Sequence, residues 1–131
     1  MASDEEANDA PGWDAFAAPD LELIEELARE AVQALPAAFR AEAEKVALQV
    51  VDFAPDAVLD ELGLTDPFEL TGLYEGTPLT EQSILDQPTR PNAVWLFRRA
   101  ILEEWIERGD IGLGQLITHV VVHELAHHFG W

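Results

Sequence analysis

From Ile111 to Trp131 the chain reads IGLGQLITHVVVHELAHHFGW, and Glu124 is its only formally charged side chain. Leu113, Leu116, Ile117, Val120, Val121, Val122, Leu125, Ala126 and Phe129 make the run apolar on nearly every helical face. Such a helix is expected to be buried by the rest of the domain, so the other residues must fold around it. A carboxylate in that setting is costly unless a cation, a metal or a hydrogen-bonded water compensates it, and burial tends to raise its proton affinity.

The same segment holds all four histidines of the chain: His119, His123, His127 and His128. His123-Glu124-Leu125-Ala126-His127 forms the HExxH pattern. Residues four apart on a helix differ by about 40° of rotation, so the two imidazoles project from one face and can close on one metal ion. Glu124, next to the first of them, flanks that face, where a carboxylate reaches a water on the metal without binding the metal itself. The expected chemistry has His123 and His127 holding Zn2+. Glu124 is the catalytic general base, passing a proton from water to a leaving amine. The competing reading makes His123 and His127 core histidines satisfied by backbone carbonyls and pairs Glu124 with a histidine or an arginine. It is the weaker one, because three polar groups at ligand spacing are an expensive way to fill a core. His119 is expected to be structural, since three ligands at four-residue intervals on a straight helix drift around the axis. His128, about 100° from His127, is expected to be a helix-end or supporting residue.

The run Thr118 to Gly130, with Gly72-Leu73-Tyr74-Glu75-Gly76 and Val94-Trp95-Leu96-Phe97-Arg98-Arg99, resembles the small bacterial zincin-like metallopeptidase family from about residue 20 onward. The resemblance implies an α+β, minimal zincin-like fold: a small mixed sheet packed against helices with a C-terminal HExxH helix. It implies a zinc-dependent peptidase acting on a peptide or protein substrate. In that family a glycine and then an acidic third ligand follow the helix; here Gly130 is followed by Trp131. A catalytic zinc usually takes three protein ligands, and the motif supplies two. Truncation is the preferred explanation, with His119, Glu75, a partner's carboxylate or the C-terminal carboxylate as weak candidates. The alternative function is a non-catalytic zincin-fold module for acidic interaction or metal binding. Zincins typically bind substrate along an exposed strand edge, and residues 72–79 are the candidate here. Tyr74 could polarise a substrate carbonyl, but strand aromatics usually pack, and packing is the preferred reading.

At 131 residues and 48% hydrophobic the chain suits one domain, expected at 20–131. Residues 1–19 are expected to form an acidic, disordered tail: six acidic and no basic residues occupy the first 20 positions. A net charge of −19, from 26 acidic against seven basic residues, argues against nucleic acid and anionic membrane partners. It weakly favours cationic peptides as substrates. With no cysteine there are no disulfides and no thiolate zinc ligands. No signal peptide and no apolar run of about 20 residues is evident, so a cytoplasmic location is expected. Substrate identity and oligomeric state are not legible.

Asp20 is positioned to cap a helix over Leu21 to Leu35, stopped by Pro36, and a short helix follows through Glu44. Val46 to Phe53 reads as a strand and Asp56 to Leu62 as a helix ended by Gly63. Gly72-Leu73-Tyr74 enters a turn at Gly76-Thr77-Pro78, and Leu79 to Leu85 reads as a returning strand. Ala93 to Phe97 is the clearest strand. A helix from Arg98 through Glu107 stops at Gly109, and Gly112 and Gly114 are expected to allow close packing of the last helix.

Overall fold

The computed structural model describes residues 18–77 and 92–131. In chain order the elements are α1 (Leu21–Gln33), α2 (Ala37–Ala43), β1 (Ala47–Val51), α3 (Asp56–Leu62), a 3-10 turn (Pro67–Glu69), β2 (Gly72–Glu75), β3 (Ala93–Phe97), α4 (Arg98–Arg108) and α5 (Leu113–Phe129). The strand expected over Leu79 to Leu85 and nearly all of the N-terminal tail lie outside the described residues.

The sheet has the order β1-β3-β2. β1 runs parallel to β3, with Ala47 opposite Ala93, and β2 runs antiparallel to it, with Tyr74 opposite Val94. The central position of β3 explains its uninterrupted apolar sequence, since a strand covered on both faces has no solvent side to alternate with. Val94 and Leu96 point to one core with Ile24, Ala28 and Val32 of α1 and Leu116, Ile117, Val121 and Leu125 of α5. Trp95 and Phe97 point to the other, with Leu59 of α3, Ala54 and Leu73. The fold is α+β: a small mixed sheet packed against helices, the C-terminal helix α5 among them.

Local chemistry sets the ends. Asp20 accepts a hydrogen bond from the Leu23 amide at 2.8 Å, satisfying one free N–H of the first turn of α1. At the other end of the chain, Gly130 takes φ of 86°, a left-handed conformation that favours glycine. The Trp131 amide thereby reaches back to the Ala126 carbonyl at 2.8 Å, and the Trp131 ring stacks on Phe129. β1 is shorter than the apolar run around it: Val46 is buried in the core without joining the strand.

The expectation about Gly112 and Gly114 needs correction. A Cβ on Gly112 would meet nothing within 4 Å, and one on Gly114 would make an ordinary 3.7 Å contact with Leu27. The close approach is instead at Gly72, where a Cβ would stand 2.6 Å from Val120 Cγ1 and 3.3 Å from Glu124 Cγ. β2 lies directly on α5 because that residue has no side chain.

Candidate metal centre

α5 is buried along one side only. Leu116, Ile117, Val120, Val121, Leu125 and His128 face the interior, whereas Gln115, His119, Val122, His123 and His127 are exposed, Val122 by 43%. The helix expected to be covered all round thus keeps an open strip, and the histidine pair lies on it. The ring centroids of His123 and His127 are 5.4 Å apart with planes at 85°. Neither ring has a hydrogen-bond partner among the described residues, so backbone carbonyls do not satisfy them as core histidines would require.

Glu124 sits at the border of this strip, half-buried. Its Oε1 accepts the Tyr74 backbone N–H at 3.0 Å. The register explains why that N–H is available. Phe97 N–H donates to the Thr71 carbonyl, so alternate residues of β2 turn their amides toward β3 and Tyr74 turns its own outward. The edge considered for substrate pairing therefore has the Tyr74 amide already engaged, and its far end, residues 78–79, lies outside the described residues. No hydrogen bond from a described residue reaches Glu124 Oε2.

A cavity of about 230 Å3 opens beside His123, lined by Thr71, Glu104, Arg108, His119, His123 and Glu124 among others, and His127 is not part of its wall. His119 borders it, one turn before His123. Among the described residues, no three His, Asp or Glu side chains come together to hold a metal ion. Glu75 is turned away: its carboxylate accepts from Trp95 Nε1 at 3.3 Å, on the sheet face opposite Tyr74, as strand alternation dictates.

The C-terminal end of α5 holds an arrangement that the sequence did not reveal. His128 is buried, with Nε2 2.9 Å from Glu42 Oε2 and Nδ1 2.7 Å from the Tyr74 hydroxyl. The hydrogen bond from His128 holds the Glu42 carboxyl below its ordinary value, against the opposing effect of partial burial. Burial, and secondarily the Glu42 charge, pushes the Tyr74 phenol above its ordinary value. With its hydroxyl on His128 and within 3.3 Å of the Thr77 carbonyl, Tyr74 is a packing and hydrogen-bonding residue in this structure. The expectation of a supporting His128 at the helix end agrees with this geometry.

Residues 43–131 match the model of the zincin-like metallopeptidases. The chain belongs to the zincin-like metallopeptidase family. No curated protein gives a significant match. The matched span of this zincin-like chain holds all three described strands, α4 and α5, and leaves out α1, which contributes a wall of the core. It is a zinc metallopeptidase fold whose third metal ligand is absent from the described residues. The donor chemistry nonetheless suits part of a zinc shell: two unengaged imidazoles one helical turn apart, with a carboxylate alongside. No helix among the described residues is long and apolar enough to cross a membrane.

Proposed function

We propose that this zincin-like chain is a metal-binding module in which His123 and His127 hold a divalent transition ion, zinc by ligand type. The observation that carries the reading is the pair itself: two exposed rings on one face of α5, 5.4 Å apart and free of hydrogen bonds to described residues. Two protein ligands fall short of the three that a catalytic zinc usually takes, which favours binding or an interaction role over turnover for the residues described. The charge of −19 directs that role toward protein or peptide partners and away from nucleic acid and anionic membranes. Isothermal titration of the purified chain with Zn2+ tests it. About one equivalent should bind and be lost in the His123→Ala, His127→Ala double variant. Undiminished binding in that variant would place the metal elsewhere, and no binding in either protein would remove the reading.

A second reading, hydrolysis of a peptide or protein substrate, is favoured by the setting of Glu124. Zinc, where a third ligand completes its shell, supplies a Lewis acid for the scissile carbonyl and lowers the pKa of water. This chain's own contribution is a carboxylate held at one oxygen by the Tyr74 N–H and open at the other, so Oε2 takes a proton from water and returns it to the leaving amine. Glu124→Gln should abolish hydrolysis of a peptide library while leaving metal stoichiometry unchanged. Equal turnover in the variant would dismiss Glu124 as the base.

A further inference from the structure

His128 is buried to 1% exposure and belongs neither to the exposed histidine pair nor to the open side of Glu124. A ring that deep requires partners for both nitrogens. Ionised Glu42 can only accept, so Nε2 carries a proton and donates to it, while Nδ1 pairs with the Tyr74 hydroxyl at 2.7 Å, nearer than that hydroxyl's 3.3 Å approach to the Thr77 carbonyl. Burial pushes the phenol above its ordinary value, so it stays protonated.

Tyr74 thus meets α5 twice. Its main chain donates to Glu124, and its side chain is hydrogen-bonded to His128, one helical turn further on. A single contact would let a four-residue edge strand pivot on the helix; two contacts one turn apart fix both its position and its angle. Gly72 adds a third point one turn earlier, where the strand backbone lies against Val120. Glu42, on α2, ties the far side of His128 to a separate part of the fold.

From this geometry we infer that Glu42, His128 and Tyr74 are positioning residues for Glu124. The carboxylate–imidazole–phenol chain seats β2 on α5, so that the Tyr74 N–H fixes Glu124 Oε1 and leaves Oε2 as the working oxygen. A glutamate side chain left to itself samples several rotamers, and ordering it costs conformational entropy. Here the strand bears that cost in advance, as preorganised sites require. The consequence for turnover rests on the hydrolytic reading above; the seating is a property of the fold.

The test is amide hydrogen exchange and 1H–15N spectroscopy on the full chain, for the native sequence, Tyr74→Phe and Glu42→Gln, each with and without Glu124→Gln. In the native background Glu124→Gln should shift the position-74 amide, whose acceptor changes from a carboxylate to an amide oxygen. Cutting the chain with either Tyr74→Phe or Glu42→Gln should speed exchange at position 74 by about three- to tenfold, the worth of one hydrogen bond. Leu73 and Glu75, whose amides face β3, should keep their protection, and the added Glu124→Gln should then leave position 74 nearly unmoved. Native-like protection at position 74 in both variants would overturn the inference, as would loss spread equally over residues 73–75. On peptide substrates Tyr74→Phe should lower kcat with KM unchanged. Absence of hydrolysis in every protein would count against the hydrolytic reading alone, because the exchange result decides the seating by itself.

Discussion

Gly72 shows how much one missing side chain can determine. Its neighbour Val120 is β-branched and held at χ1, so it cannot swing aside as the end of a longer side chain could. Gly72→Ala should therefore destabilise by about 1–3 kcal/mol, the usual cost of overpacking. Urea denaturation would register this as a lower midpoint at unchanged slope. Glu42 makes a pH-dependent contribution whose sign follows from its direction of shift. Its carboxyl is held below 4.5 in the folded chain, so the stability it adds is present above that value and fades as pH falls through the lower folded value. Glu42→Gln should accordingly cost most near neutrality and progressively less below pH 4.5, as read from urea midpoints along a pH series. That His123 and His127 share one face of a helix was legible from their spacing. Glu42 was not, since it lies 86 residues from His128 and nothing local marks it. The open strip on α5 escaped detection for a different reason: Val122 looks like core material, and only its neighbours in space decide that it is not.

Among the elements, those governed by local rules were read closely. α1 starts where Asp20 can cap it, and β3 spans the residues expected of it. Replacing Asp20 with Ala should cost about 1 kcal/mol, the common value for a lost N-cap, and lower the thermal midpoint by several degrees. Scanning calorimetry of the variant checks it, and an unchanged midpoint would mean that water caps the helix equally well. Where an end depends on partners, the reading was less close. Val46 and Phe53 have strand-like side chains, but β1 extends only as far as β3 pairs with it, from Ala47 to Val51. Gly112 and Gly114, at the start of α5, make no tight contact; the close approach falls at Gly72, between a strand and a helix whose crossing cannot be deduced from either sequence.

At the scale of the molecule, charge and topology act in different ways. An excess of 19 negative charges on a chain of 131 residues repels itself, and folding brings those charges closer together. Raising NaCl from about 0.02 M to about 0.5 M shortens the screening length severalfold and should raise the thermal midpoint, in contrast to a protein held by surface ion pairs. A falling midpoint would show that pairs such as Arg98 with Asp52 outweigh the general repulsion. Topology separates the two halves of the candidate centre in sequence distance. Glu124 depends on an amide 50 residues away, on a strand that exists only once β3 is in place. His123 and His127 depend on nothing but a single turn of helix. In folding time the order follows from locality: closing a turn of helix takes well under about a microsecond, whereas distant strand pairing is slow. The histidine pair can therefore come together on a chain still largely unfolded, and the carboxylate beside it is put in place last.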